Sequence, residues 1–152
     1  MIIFKEIILK SCDFEKIAPV VFEQYLFHID CNFLRLESWL GSIATTMQLN
    51  NTYSPHRHRR DRNKISHFND AGWSFSSFGG PAKIKEKFEA FAHKEYNNEK
   101  FKSVDHILNC QKTGKDLFHR NVQAKKVNKN FFPKDLLNLM EQNPTFYFGS
   151  NT

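Results

Sequence analysis

An α/β fold, a mixed sheet with flanking helices, is what this chain predicts, because strand patterns fill its first half and helical patterns its second. Two observations carry that reading. Aromatic and β-branched residues recur at period two up to about residue 78, and apolar residues recur at helical spacing after Gly80. With 152 residues, 40% of them hydrophobic and 16 of them Phe, the chain can bury a core without disulfides or a structural metal, so a single domain over 1–152 is expected.

The elements follow in order. The opening Met1-Ile2-Ile3-Phe4 is broken by Lys5 and Glu6 and no small-residue cleavage site follows, so it is not a signal peptide. No run of 18 apolar residues occurs anywhere, so no transmembrane helix is encoded. Residues 19–33 alternate, with Val21, Tyr25, Phe27 and Ile29 on one side, interrupted by Glu23, and Phe22, Gln24, Leu26, His28 and Asp30 on the other, which predicts a strand with both faces partly covered. A second strand is expected at 43–49, after Trp39-Leu40-Gly41-Ser42, and a turn at 50–55, where Asn, Ser and Pro favour local bends. The polar run 56–62 reads as a surface loop. Residues 65–78 predict a third strand with Trp73 and Phe75 on one face and Ser74 and Ser76 on the other, the serine side facing a cleft, and Gly79-Gly80 ends it.

The best helix spans 81–93: Pro81 suits the first turn, Ile84, Phe88 and Phe91 form the apolar stripe, and Lys83, Lys85, Glu86 and Lys87 fill the other side. Ser103 is the expected N-cap of a second helix carrying Val104, Ile107 and Leu108 and stopping at Gly114. A third helix runs through 133–143 with Leu136, Leu137 and Met140.

A net charge of +6 favours an anionic partner: a nucleotide diphosphate, nucleic acid or an anionic membrane surface. Cys12, Cys31 and Cys110 are far apart with no Cys-x-x-Cys pair, which suggests neither a disulfide framework nor a zinc module and points to a reducing, cytoplasmic setting. His56, His58 and His67 have no cysteine companions and no helical i, i+4 setting, so no zinc site is proposed there.

Five segments stand in one order: Trp39-Leu40-Gly41-Ser42; Gly72-Trp73-Ser74-Phe75-Ser76; Gly79-Gly80 followed by Lys83-Ile84-Lys85-Glu86-Lys87; Phe91-Ala92-His93-Lys94-Glu95-Tyr96-Asn97-Asn98; and Gly114-Lys115-Asp116-Leu117-Phe118-His119-Arg120. Through them, over about residues 20–120, the chain resembles the C-terminal part of glycosyltransferase family 17, the β-1,4-mannosyl-glycoprotein N-acetylglucosaminyltransferase family. The resemblance implies a GT-A-like fold and inverting, metal-assisted transfer of N-acetylglucosamine or a related sugar from a UDP-sugar donor to a glycan acceptor. It also implies a divalent metal, Mn or Mg, on an Asp-x-Asp motif, because carboxylates must hold the cation against the diphosphate. No Asp-x-Asp occurs in these residues. The family's motif would lie just upstream of the region resembling residues 5–10, so the expectation is a truncated form, inactive alone, whose N-terminal nucleotide-binding half is missing.

Glycosyl transfer needs a base for the acceptor hydroxyl, and Glu95 and Asp70 hold the matching positions, with a solvated helix-terminal acid as the other reading of Glu95. His93 is either a metal or phosphate ligand or a helix C-terminal histidine. Trp73 stacks on a sugar or belongs to the core, and Ser74 and Ser76 line the expected substrate side. Ser74 stands where the family typically has histidine, which can bind a metal or a phosphate as a hydroxyl cannot. Asp116 and Arg120 either bind diphosphate or acceptor or form a surface ion pair. The Gly79-Gly80-Pro81 turn opens a helix N-terminus that can receive an anion. On this reading no nucleic acid partner is expected. The alternative is a small basic nucleic-acid-binding protein using Arg57, Arg59, Arg60 and Arg62 in the loop 57–62, although a solvated loop is the ordinary reading of such a run.

Overall fold

In the computed structural model, which describes residues 2–5, 13, 18–90, 94–143 and 146, the chain is mixed α/β as expected. It divides into two compact units, residues 1–26 with 38–74 and residues 27–37 with 75–152. The described strands are β1 (Ile2–Phe4), β2 (Val20–His28), β3 (Phe33–Arg35), β4 (Trp39–Ala44), β5 (His67–Phe68), β6 (Gly72–Ser76) and β7 (Ala124–Lys126). They form one sheet in the order β1-β6-β2-β3-β7, with β4 and β5 also paired to β2.

In the first unit β2 is buried on both faces, as its pattern requires, and pairs antiparallel with β4 from Val20↔Ala44 to Gln24↔Trp39. A bulge interrupts that ladder between Phe22 and Glu23. Strand β5 lies parallel to β2 at Val21↔His67, and β1 pairs antiparallel with β6 at Ile2↔Ser74. Val20, Phe22 and Ala71 form the core with Ala44 and Phe68 against them. Gly41 is required here: a Cβ at that position would collide with the side chains of Gln24 and Trp39.

Local chemistry overrides three of the expectations in this unit. The second strand stops at Ala44, because Thr46 Oγ1 accepts from Leu49 N at 3.2 Å and starts helix α1 (Met47–Thr52). The basic run is helix α2 (Pro55–Arg60), not a loop: Ser54 Oγ accepts from Arg57 N at 3.3 Å and Pro55 occupies the first turn, where it costs no hydrogen bond. The expected turn over 50–55 therefore shrinks to the two residues between these helices. The strand at 65–78 is two strands, divided at Asp70, whose φ is +52°.

In the second unit helix α3 (Gly80–Glu89) buries Ile84 and Phe88, while Phe91, the third member of the expected stripe, lies outside the described residues. Asn98 caps α4 (Glu99–Lys102). Ser103 caps α5 (Val104–Thr113), accepting from His106 N at 3.3 Å, and Gly114 ends it at φ +73°. Val104 and Leu108 are exposed, so Ile107 and Cys110 are the residues that anchor α5. Helix α6 (Lys134–Glu141) buries Leu136 and Met140.

Two clusters make the core of this unit. Ile29, Ile84, Phe88, Ile107, Cys110 and Leu117 pack with Tyr96, Phe101 and Phe118. The second is aromatic: Phe27 meets Phe75, Phe131 and Phe132 at ring separations of 5.7, 5.8 and 5.2 Å, and Phe75 meets Phe78 and Phe146. Strands β3 and β7 pair antiparallel from Phe33↔Lys126 to Arg35↔Ala124.

Candidate functional site

The densest concentration of buried charge lies in the second unit, around Asp116. Its loop is fixed at the start by Gly114, where any Cβ would strike the ring of Phe33, and by Cys110 Sγ, which lies 3.8 Å from the Asp116 carbonyl oxygen. His106 Nε2 lies 2.9 Å from the Leu117 carbonyl, donating to it and holding the same loop from α5. The Asp116 carboxylate, 1% exposed, then accepts from five donors. Oδ1 takes Arg35 Nη2 at 3.0 Å and Arg120 Nη2 at 2.8 Å; Oδ2 takes Arg120 Nε at 3.0 Å and the backbone N–H of Phe118 and Arg120 at 2.9 and 3.1 Å. Burial alone would raise this carboxyl, but the Arg120 side-chain and backbone hydrogen bonds override it and hold it at about 2.

The two arginines differ in what they offer. Arg35, at the end of β3, has a side chain only 3% exposed, and its Nη1 has no hydrogen-bond acceptor among the described residues. Arg120 is clamped through Nε and Nη2, rests over the Phe118 ring at 5.0 Å and is 53% exposed, so the outer edge of its guanidinium faces solvent in a fixed orientation. His28, at the end of β2, places Nδ1 3.5 Å from Arg35 Nη2. Burial first and the Arg35 charge second push its imidazole down to about 3, so at neutral pH it is an uncharged acceptor toward Arg35. The charges of Arg120 and Lys87 also act on that ring. Lys87, on α3, donates to Ser77 Oγ at 3.0 Å and Ser76 Oγ at 3.3 Å, with no carboxylate at ion-pair distance among the described residues.

Backbone strain borders the same residues. Four non-glycine residues have positive φ among the described residues, and three of them adjoin this cluster: Ile29 (+89°) follows His28, Ser77 (+60°) holds Lys87, and His119 (+56°) precedes Arg120. Between β2 and β3 sits Asp30, 1% exposed, with Oδ1 accepting from Asn32 N at 2.8 Å and Oδ2 without a partner among the described residues. Burial raises its carboxyl to about 6 against the lowering effect of the Asn32 hydrogen bonds.

Of the residues singled out from sequence, Asp116 and Arg120 are brought together, and the pair is an anchored clamp with a buried acid rather than a surface ion pair. Ser76 joins the second unit through Lys87. Glu95 is exposed, on the 3₁₀ turn Lys94–Tyr96, where its carbonyl accepts from Asn98 Nδ2 at 2.7 Å. His93 lies outside the described residues. Asp70, Trp73 and Ser74 belong to the first unit. Asp70 accepts a hydrogen bond from the Tyr25 hydroxyl, which raises Tyr25. Trp73 and Ser74 are both buried, so the serine face of β6 is closed at Ser74 rather than open to a cleft. The Trp73 indole packs against Tyr25 at 6.3 Å, with the Lys5 ammonium 5.7 Å from its ring. The basic helix α2 turns Arg57 over the Tyr53 ring at 3.9 Å and pairs Arg60 with Asp61 at 3.3 Å.

His28, Arg35, Lys87 and Asp30 were not singled out from sequence. The available signal was polarity inside apolar strands: His28 and Arg35 each close a strand whose other residues are mostly hydrophobic. Among the described residues no three His, Cys, Asp or Glu side chains converge as metal ligands, so these residues do not by themselves fit a divalent cation. No helix among them is long and apolar enough to cross a membrane. No family model, curated protein or solved structure matches the chain.

Proposed function

We propose that this chain is the acceptor-side portion of a glycosyltransferase of the family 17 type, recognising a glycan and the anionic end of a UDP-sugar. The observation that carries the reading is the last of the five ordered segments, residues 114–120. It folds into a loop whose buried acid, Asp116, aims the half-exposed guanidinium of Arg120 at solvent. A transferase must hold a negatively charged leaving group near its acceptor, and a guanidinium fixed from behind suits that task. The net charge of +6 acts in the same direction.

Under this reading Glu95 is preferred over Asp70 as the base that receives the acceptor proton. Glu95 is exposed on the 3₁₀ turn Lys94–Tyr96, where an acceptor hydroxyl can reach it. The donor's divalent cation, Mn or Mg, would need carboxylates that the described residues do not group together. This chain therefore recognises the acceptor and the anionic end of the donor, and no step within it runs through a metal.

Isothermal titration of the chain with an N-glycan core oligosaccharide, and separately with UDP in manganese, tests it. Glycan binding is expected, with UDP affinity unchanged by manganese. No glycan binding at millimolar concentration overturns the reading, and retention of RNA or DNA with steep salt dependence replaces it with a basic nucleic-acid binder.

A further inference from the structure

Ser77 and Lys87 have no part in the function proposed above, yet together they supply a serine hydroxyl and an amine base at hydrogen-bond distance. Strand β6 ends at Ser76 and helix α3 starts at Gly80, so Ser77 stands in the short turn between them, at φ +60°. A strained strand-to-helix turn is a setting that holds a serine Oγ clear of its own main chain for attack. The sequence Phe75-Ser76-Ser77-Phe78-Gly79 keeps the second glycine of the Gly-x-Ser-x-Gly pattern that builds such turns, with Phe75 in place of the first. Phe75 is buried, its ring against Phe78 and Phe146.

Lys87 reaches back from α3 to place Nζ 3.0 Å from Ser77 Oγ and 3.3 Å from Ser76 Oγ. The acids beside it on α3 are paired elsewhere, Glu86 with Lys83 at 2.8 Å and Glu89 with Lys102 at 3.9 Å. Although the residue is exposed overall, the surroundings of its ammonium are desolvated, and that lowers its pKa with no carboxylate at ion-pair distance to restore it. A lysine in that state is available as the neutral amine that can take a hydroxyl proton. The pair lies at the surface: Ser77 is buried, but Ser76 and Phe78 on either side of it are only half-buried. Donors for a developing oxyanion follow Ser77 in the chain, because Gly79 caps α3 without a side-chain hydrogen bond and the first-turn N–H groups of a helix have no partner within it. Phe78, with Phe146 at 5.5 Å, gives the turn an apolar wall.

We propose that Ser77 is a nucleophile and Lys87 its general base, a Ser–Lys dyad that hydrolyses carboxylic esters with an apolar acyl group. Ser77 Oγ bonds to the ester carbonyl carbon as its proton passes to the Lys87 amine. The acyl–oxygen bond to the alcohol then breaks, and the Lys87 ammonium returns the proton to the departing alcohol. Water, the second substrate, gives a proton to Lys87 as it attacks the acyl-serine; the carboxylic acid leaves and Ser77 recovers its proton. The 3.0 Å contact serves both directions, since the ammonium donates to Oγ and the neutral amine accepts from it.

The test is labelling of the full chain with an alkyl fluorophosphonate, located by peptide mass spectrometry, together with turnover of excess 4-nitrophenyl butyrate. In the labelling step Oγ bonds to phosphorus, fluoride leaves and the proton goes to Lys87. One label per chain, on Ser77, is expected, with ester turnover in the parent and neither in Ser77→Ala. Lys87→Met should slow labelling by about a hundredfold or more. Lys85→Met, which removes an exposed charge elsewhere on α3, should leave it unchanged. Thermal melts establish that each variant is folded; Ser77→Gly suits a positive φ and serves if Ser77→Ala does not fold. No label, a label on Ser76 or any other residue, ester turnover that survives the loss of Ser77, or equal slowing by Lys85→Met overturns the proposal. Glycan binding enters none of these readouts, so the dyad stands or falls apart from the glycosyltransferase reading.

Discussion

Replacing Asp30 by Asn should stabilise this protein at neutral pH. The folded state holds the Asp30 carboxyl at about 6, against an ordinary value of 3.8, because it is buried with only Asn32 for a hydrogen-bond partner and with one oxygen unpaired among the described residues. The sign follows directly. A carboxyl raised on folding favours the folded state while it is protonated, so its contribution is whole below pH 3.8 and is lost as pH rises through 6. At about 1.4 kcal/mol per pH unit, the loss above pH 6 is about 3 kcal/mol. Asparagine keeps an oxygen for Asn32 N–H and removes the charge, but it leaves a buried NH₂ in place of the unpaired oxygen, which costs about 1 kcal/mol. The net expected gain at pH 7.5 is about 2 kcal/mol.

The parent's own pH profile will not reveal this. His28, held at about 3, loses stability as pH falls below its ordinary 6.5, the opposite slope over an overlapping window. The difference between Asp30→Asn and parent cancels His28 and isolates Asp30. Urea unfolding followed by circular dichroism from pH 3.5 to 8 gives that difference at each pH. It should grow from pH 4 to 6 and then stay level. A difference independent of pH, or a variant weaker than the parent at pH 7.5, would refute the reasoning.

Asp116→Asn strips the charge that two guanidinium groups share and should cost about 3–5 kcal/mol in urea unfolding at pH 7. Because that carboxyl is held at about 2, its stabilisation is whole above pH 3.8 and is lost as pH falls through 2, so the penalty of the variant should shrink over the same interval. Gly114→Ala places a Cβ at φ +73° against the Phe33 ring and should lower stability by about 1–2 kcal/mol for the backbone alone, with the collision adding to it in a thermal melt. Trp73→Phe deletes an indole N–H that has no acceptor among the described residues, so the lost volume is partly offset; a change under about 1.5 kcal/mol is expected, against about 3–5 kcal/mol for Trp73→Ala.

What was legible in the sequence was local. Helix α5 begins at Ser103 and ends at Gly114 as expected because both ends are set by a side-chain cap and a left-handed glycine within one turn of the helix. The same grammar is present at Thr46 and at Ser54-Pro55, where the strand pattern of 43–49 and the polarity of 56–62 compete with it, and both segments are helical. The site was legible only in its local pair, Asp116 and Arg120, four residues apart. Arg35 reaches Asp116 across 81 residues, and no spacing rule spans that distance. Asp30 falls inside the strand expected over 19–33; the strand in fact ends at His28, and only the folded turn shows Asp30 as a buried acid with one oxygen unpaired among the described residues.

The distribution of unfavourable features argues that the Asp116 cluster is held for more than stability. A β-branched residue at φ +89° is a rare conformation, and Ile29 adopts it between His28 and Asp30 while its side chain packs into the core with Ile84 and Phe88. Ser77 and His119 add left-handed backbone at the partner of Lys87 and the neighbour of Arg120. Strain of this kind costs about 1–3 kcal/mol per residue. Asp30 adds a buried charge, and Arg35 a buried donor with no acceptor among the described residues. Against a typical total stability of about 5–15 kcal/mol these costs are large, and an apolar core could avoid all of them. They fall within a few residues of His28, Lys87 and Arg120, where Arg35 Nη2 lies between the His28 imidazole and the Asp116 carboxylate. A fold that concentrates its strain there keeps His28, Arg35 and Asp116 in a buried arrangement that stability alone does not select.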